Sequence, residues 1–270
     1  MPAAQHARKD DFAQDLKILA DAAQAAGALA LPFFHLGQNT SAAVHSKAGG
    51  SPVTDADILL DNFLRGRLLR AYPHAGWLSE ERADTPERLS RSDVVIVDPI
   101  DGTRAFLKGD PRWTVCVALV RGGRPVAGVV HAPALDETYA ACACGGAWLN
   151  GARLAVAAAP AVPRIAGPHF LLEAMRRHGL ALDAQPKIPS LAYRMALVAA
   201  GAHDAGLTSG NAQDWDIAAA DLIVREAGGV FCGLDGAAPV YNKADTAHPA
   251  LIACAPALFA GIAAAAAQRD

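Results

Sequence analysis

The amino-acid sequence predicts a layered α/β protein, with an α+β first half joined to an α/β second half in one 270-residue unit. Three observations carry that prediction. Apolar residues in the first 71 positions recur with helical spacing, short β-branched runs between residues 94 and 143 are separated by glycine-bearing turns, and strand-like and helix-like runs alternate from residue 164 onward.

The elements follow in order. Residues 11–31 read as a first helix. Residues 54–71 read as a second, with Thr54 as N-cap, Asp57 at capping-box spacing, and Ile58, Phe63 and Leu68 among its apolar positions. Gly76-Trp77-Leu78-Ser79 is a short strand running into a loop with Glu80 and Glu81. Asp93 leads into a buried strand, Val94 to Val97, expected to end where Asp98 begins; residues 103–107 can start a helix. Residues 115–120 and 126–131, joined by Arg121-Gly122-Gly123-Arg124-Pro125, form an antiparallel hairpin, and residues 138–143 a third strand. After the Gly145-Gly146 and Asn150-Gly151 turns come strands at 164–166 and 203–207 and helices at 170–178, 191–200 and 215–227, the last stopped by Gly228-Gly229. A strand at 251–254 and a closing helix complete the chain. The proline-bearing stretch 158–168 marks a seam, so one domain over 1–270 is expected to divide into subdomains at about 1–157 and 158–270, with the site between them.

Composition narrows the function classes. A chain of this length can bury roughly three quarters of its unfolded surface, so it needs no covalent staples. A formal charge of −3, a pI near 6.3 and nine scattered histidines leave no footprint for polymeric nucleic acid. A small anionic substrate must be held by a local site. The five cysteines, Cys116, Cys142, Cys144, Cys232 and Cys254, are odd in number and lie in apolar surroundings without Cys-x-x-Cys spacing. They read as reduced, buried thiols of a cytoplasmic protein rather than zinc ligands, with Cys142 and Cys144 expected on one strand face. Residues 1–9 lack the regions of a signal peptide, and the alanine-rich run 250–267 is interrupted by Pro256, so no membrane partner is expected. A homodimer is compatible with the sequence, which does not fix the assembly.

Asp98-Pro99-Ile100-Asp101-Gly102-Thr103 is the most informative stretch. In a continuing strand the two acids would face opposite ways, whereas Pro99 fixes a turn that lets them converge. Gly102 permits close backbone approach, and free N–H groups at the start of the following helix can face an anion. Metal and phosphate would then share one site. An isolated Asp-x-x-Asp is ordinarily a polar turn with capping acids, so the reading depends on further acids elsewhere. Asp216 supplies one, in line with Ala220, Ile223 and Ala227 on the buried stripe of its helix, where a carboxylate needs a partner; Asp214 or Asp216 acting only as a cap is the alternative. Glu80 and Glu81 precede the Asp98 strand, one able to reach a metal while the other points away. A glycine-containing loop, 47–52, leads to Asp57, whose first role is its cap.

The six-residue string, Trp215-Asp216-Ile217-Ala218-Ala219 running to Glu226-Ala227-Gly228-Gly229, and Ser79-Glu80-Glu81 occur in an order and spacing that resemble the inositol monophosphatase superfamily, over about residues 11–260. The resemblance implies an αβαβα layered fold and a lithium-sensitive, Mg²⁺-dependent phosphomonoesterase holding two or three ions. It implies Glu80, Asp98, the carbonyl of Ile100, Asp101 and Asp216 as metal ligands, with Asp57 and Glu81 at a more weakly held outer ion. Oxygen-only ligation suits Mg²⁺, and two such ions about 3.5 to 4 Å apart would neutralise phosphoryl oxygens and lower the pKa of a bound water. By the same resemblance, Glu80 and Thr103 orient and activate the attacking water, the N–H groups of Gly102 and Thr103 bind phosphate, and Asp101 passes a proton through water to the leaving oxygen.

Within the superfamily, Gly102-Thr103-Arg104-Ala105-Phe106-Leu107-Lys108, the hairpin text from Thr114 to Pro133 and Ser190-Leu191-Ala192-Tyr193-Arg194 look like the 3'(2'),5'-bisphosphate nucleotidase branch. Arg104, Lys108 or Arg194 is then a candidate partner for a second phosphate, with solvated surface charge as the alternative. Ser209 and Asp216 are expected on the substrate side. Where inositol enzymes commonly place a hydroxyl-binding glutamate, this chain has Ser209, Gly210 and Asn211; the Pro-Thr pair frequent in nucleotidases is absent too. The expected substrate is 3'-phosphoadenosine 5'-phosphate, with inositol 1-phosphate or a related small monophosphate as runner-up and a regulatory binding protein as a reading of another class.

Overall fold

The computed structural model describes residues 2–47 and 49–267, so Met1, residues 268–270 and Ala48 of the 47–52 loop lie outside the described residues. Helix α1 (Pro2–Ala30) starts earlier than its apolar spacing predicts, because helix propensity at alanines and polar residues does not depend on an apolar stripe. That stripe is Leu19, Ala22, Ala23, Ala26 and Ala30, all fully buried. Residues Asp11–Phe33 are long and apolar enough to cross a membrane by length and composition, yet this face packs on protein. A short hairpin of β1 (Val44–Ser46) and β2 (Pro52–Thr54) delivers the chain to α2 (Asp55–Ala71), whose Thr54–Asp57 capping box forms as the sequence predicts.

The first sheet runs in chain order: β3 (Gly76–Ser79), β4 (Asp93–Asp101), β5 (Thr114–Arg121), β6 (Arg124–Ala132), β7 (Glu137–Cys142), β8 (Gly146–Leu149) and β9 (Ala152–Arg153). Only β3 and β4 are parallel. Helix α3 (Thr103–Lys108) links β4 to β5. The second half contains β10 (Arg164–Ala166), α4 (His169–Arg177), β11 (Asp183–Ala184), α5 (Leu191–Ala199), β12 (Ala205–Leu207), β13 (Ala212–Gln213), α6 (Asp214–Glu226), β14 (Val230–Gly233), β15 (Ala247–His248), β16 (Leu251–Cys254) and α7 (Pro256–Ala267). Its five-stranded sheet has the order β11-β10-β12-β16-β14, while β13 pairs with β15.

Alternation along β4 explains the layering. Val95 and Val97 face α1 and α2, whereas Val94 and Ile96 face α5 and α6. Helices α5 and α6 therefore lie between the sheets, with Met195, Ile217 and Ile223 in one core with Phe231, Leu251 and Ala253 of the second sheet. The far face of that sheet, through Ile165, Leu207 and Ile252, packs on α4 and α7. The result is the five-layered αβαβα arrangement.

Three expectations are corrected. Strand β4 does not stop at Asp98 but continues to Asp101, and its register with β5 shifts between those two acids: Asp98 lies opposite Cys116 and Asp101 opposite Thr114. An extra residue on the β4 side makes a bulge, which re-aims side chains as a turn would without ending the strand. Cys144 does not share a strand face with Cys142; β7 ends first, and Cys144 is exposed in a turn at φ 60°. The strand expected from residue 203 starts at Ala205. His203 and Asp204 belong to the preceding turn, where Asp204 binds the Arg164 backbone and guanidinium.

Phe106, on the helix that follows the acidic turn, is fully buried and meets Trp113 edge-on at 4.9 Å. Phe106→Ala should lower the unfolding free energy by about 4 kcal/mol through lost burial and a residual cavity. Urea denaturation with an unchanged slope would register it, and a loss under 1 kcal/mol would contradict this packing.

Candidate active site

The bulge and the start of α6 gather three carboxylates. Asp98, Asp101 and Asp216 each offer an oxygen within 4.8 Å of the others. Asp98 Oδ1 accepts the Ile100 N–H at 3.1 Å, which holds the loop tight, and Thr103 Oγ1 donates to the Ile100 carbonyl at 3.2 Å. Gly102 has φ +91°, and a side chain there would place Cβ 3.2 Å from the backbone nitrogen of Ser190. The left-handed backbone favours glycine, and the close approach to Ser190 leaves little room for a side chain.

Asp101 joins the two sequence halves. Its Oδ2 accepts from Ser190 Oγ at 2.6 Å and from the Ala192 N–H at 2.7 Å, at the N-terminus of α5. Ser190 caps that helix through the Tyr193 N–H and also meets Thr114 Oγ1 at 3.0 Å. Asp216 Oδ2 likewise accepts the Gln213 N–H at 2.7 Å, so this acid caps α6 and also faces the cluster. Asp214 does not cap. It is buried, with Oδ2 accepting the Asn242 N–H and Oδ1 meeting His248 Nε2. Asp57 Oδ2 takes both the Thr54 N–H and hydroxyl, leaving Oδ1 buried without a partner.

Burial dominates the electrostatics. Asp98 is pushed well above the ordinary carboxylate range by desolvation, reinforced by the charges of Glu80, Asp101, Asp216 and Asp57. Desolvation also raises Asp216 to about 8, with Asp101 adding to it and the Gln213 N–H opposing. Asp101 and Asp57 rise to about 6 from burial, against the hydrogen bonds they accept. Glu81 rises to about 7, again from burial, opposed by its bond to Lys47. Lys47 Nζ lies 2.8 Å from both Glu80 Oε1 and Glu81 Oε1. One ammonium does not balance this many acids. The orphaned Asp57 Oδ1 and an oxygen-only donor set fit a hard divalent cation.

A cavity of about 660 Å³ opens beside Asp216, with Leu191, Arg194, Lys187, His169 and Ser209 on its wall. Arg194 donates to the Leu207 carbonyl at 2.7 Å and the Ile188 carbonyl at 3.3 Å, while its Nε has no partner. Ser209 is on the wall as the sequence suggests. Arg104 and Lys108 are exposed on α3 and do not line this cavity. Sequence reasoning missed Lys47 as a partner of the two glutamates, Ser190 as a partner of Asp101, and the basic residues His169 and Lys187. Only Ser190 had a local signal, as a serine directly before a helical run.

A profile of the inositol monophosphatase family matches residues 11–270. The chain is 36% identical over 233 residues to an inositol-1-monophosphatase of Mesorhizobium japonicum, covering 82% of this chain and 86% of that protein. It is 30% identical to the 3'(2'),5'-bisphosphate nucleotidase CysQ of Aggregatibacter actinomycetemcomitans, covering 76% and 81% respectively. Among solved structures, the extragenic suppressor protein SuhB of Bartonella henselae superposes with a TM-score of 0.83 at 28% identity, covering 95% of this chain and all of that one.

The raised acids make a linkage prediction. Asp216 at about 8 and Asp57 at about 6 bind more protons when folded than when unfolded, from about pH 4 upward. In chelator, stability should therefore fall as pH rises through that window to about pH 8. Added Mg²⁺ should restore it, more strongly at higher pH, with release of protons. Melting curves from about pH 5 to about pH 8, with chelator or Mg²⁺, test this. A flat profile with no Mg²⁺ shift would contradict it.

Proposed function

As a member of the inositol monophosphatase family the chain is a phosphoric monoester hydrolase, and we propose that, with Mg²⁺ as cofactor, it removes the 3'-phosphate of 3'-phosphoadenosine 5'-phosphate. The observation that carries the substrate reading is the cavity beside Asp216: apart from that acid, its titratable wall residues are the bases His169, Lys187 and Arg194. A leaving group with its own phosphate suits such a wall, and about 660 Å³ has room for a nucleoside. A neutral polyol gains little from cations, and Ser209, Gly210 and Asn211 give it no acid for its hydroxyls. Inositol 1-phosphate remains the second reading, favoured by the Mesorhizobium relative.

In this proposal Glu80, Asp98, the Ile100 carbonyl, Asp101 and Asp216 hold Mg²⁺, and Asp57 with Glu81 holds a weaker outer ion. When bound, Mg²⁺ supplies charge neutralisation at the phosphoryl oxygens and a water of lowered pKa. Glu80 and the Thr103 hydroxyl orient the attacking water. The N–H groups of Gly102 and Thr103, at the open end of α3, bind phosphate oxygens. Asp101, held by Ser190 and Ala192 on one oxygen, hands a proton through water to the leaving oxygen. The buried thiols of Cys116, Cys232 and Cys254 fit a reducing cytoplasm.

Phosphate release from 3'-phosphoadenosine 5'-phosphate, inositol 1-phosphate and histidinol phosphate, measured side by side with Mg²⁺, should give the highest kcat/KM on the bisphosphate, and Li⁺ should inhibit it. Preference for inositol 1-phosphate would replace the substrate reading, and silence on all three would sink it. Lys187→Met should raise KM for the bisphosphate about tenfold through a lost charge-assisted contact, with inositol 1-phosphate little affected. Asp98→Asn should abolish Mg²⁺-dependent release with circular dichroism unchanged. Full activity in that variant would overturn the metal-centre assignment.

A further inference from the structure

Arg88 lies outside the acidic cluster and is almost wholly buried, at 1% exposure. A guanidinium keeps its charge, so burial demands partners in fixed directions. Arg88 has them on both sides. Its Nε and Nη2 meet the two Asp84 oxygens, each at 2.6 Å, within the loop that begins at Glu80. From the distant half of the chain it engages Asn242 Oδ1 at 2.7 Å through Nη1 and the Lys243 carbonyl at 3.0 Å through Nη2.

Asn242 carries the connection onward. Its side-chain amide donates back to the Arg88 carbonyl at 3.2 Å, and its backbone N–H donates to Asp214 Oδ2 at 2.8 Å. Asp214 is the first residue of α6 and is held on its other oxygen by His248 at 2.7 Å. Asp216 follows two positions later. On the opposite side, Arg88 presses against Gly76, the first residue of β3, where an added Cβ would lie 2.8 Å from Arg88 Cβ. Strand β3 ends at Ser79, directly before Glu80.

Packing alone does not account for these bonds, since an apolar side chain of similar volume would fill the space without the cost of burying a charge. We propose that Arg88 is a positioning residue which, through Asn242 and Asp214, fixes the Glu80-bearing loop against the Asp216-bearing helix and so sets the spacing of the metal-binding carboxylates. This rests on the metal-centre reading above. Groups that orient metal ligands typically alter affinity by about 10- to 100-fold when removed, which gives the size of the expected effect.

The test is calorimetric titration of the full chain with Mg²⁺ alone, without substrate. Asn242→Gly tolerates the φ of +58° at that position and keeps the N–H to Asp214, so it removes only the side-chain link to Arg88. It should weaken Mg²⁺ binding about tenfold. Arg88→Met should weaken it at least as much, since it also loses the Asp84 and Lys243 bonds, and the double variant should be no worse than Arg88→Met, because the Asn242 side chain acts only through Arg88. A folded Asn242→Gly protein that binds Mg²⁺ within about twofold of wild type, with only its melting temperature lowered, would overturn the proposal. So would additive losses in the double variant. If Arg88→Met does not fold, the Asn242→Gly affinity alone decides. Wild-type protein that takes up no Mg²⁺ would defeat the metal-centre reading itself, a distinguishable result that takes this proposal with it.

Discussion

Mutual repulsion among carboxylates drawn out of water is the constraint around which this chain is built. Two unit charges 4.8 Å apart interact by about 3 to 4 kcal/mol at an effective dielectric constant of 20, and Asp98, Asp101 and Asp216 make three such pairs before desolvation is counted. The fold meets that cost with backbone dipoles. Asp57 accepts at the start of α2, Asp101 at the start of α5 and Asp216 at the start of α6. Three helices thus turn their positive ends toward one acidic centre. The offset is incomplete, as the raised carboxyls show, and the remainder is what a divalent cation can satisfy.

This requirement explains why the central layer matters. Helices α5 and α6 pack against the first sheet although they lie late in the chain, and they also cover the second sheet. Their N-termini therefore reach the end of β4 with their directions already fixed by packing. Strand β4 is buried on both faces, so its bulge cannot slide: a one-residue slip would exchange Val95 and Val97 with Val94 and Ile96 between two different cores. Rigid placement of Asp98 and Asp101 follows from hydrophobic pattern rather than from the acids themselves.

What the sequence discloses follows the range of the interactions. The capping box at Thr54 and Asp57, the hairpin at 115–131 and the helix beginning near Asp216 are local, and spacing alone reveals them. The bulge was hidden because Pro99 between two acids reads as a stop, whereas the ladder resumes at Asp101 opposite Thr114. Ser190 stands directly before a helical run, where a cap could have been read, but its bond to Asp101 spans 89 positions. Arg88 and Asn242 are 154 positions apart, and Lys47 meets Glu80 across 33. Nothing in the local text around any of them announces the partner. Of the basic cavity wall only Arg194 was read, since His169, Lys187 and Arg194 come from three separate segments that only the fold brings to one opening.

The proposed function would thereby place chemistry and selection in different parts of the fold. Under the proposed function the acidic centre, with its cation, would engage what every phosphate monoester shares, and its placement is tied to both cores through β4. The cavity wall would meet the remainder of the molecule, and its polar side chains belong to loops and helix starts of the second half. Lys187 precedes α5 in an irregular stretch, where a change of side chain leaves both sheets and the helix caps at the carboxylates untouched. Arg194 is different, because two of its guanidinium nitrogens hold the carbonyls of Leu207 and Ile188. Arg194 Nε is itself buried, so a leaving group could reach it only if the side chain moved and gave up those two bonds, whereas recruiting Lys187 needs no such movement. On this argument Lys187 would be the side chain free to adapt to the proposed substrate, with Arg194 a fixed positive background behind it.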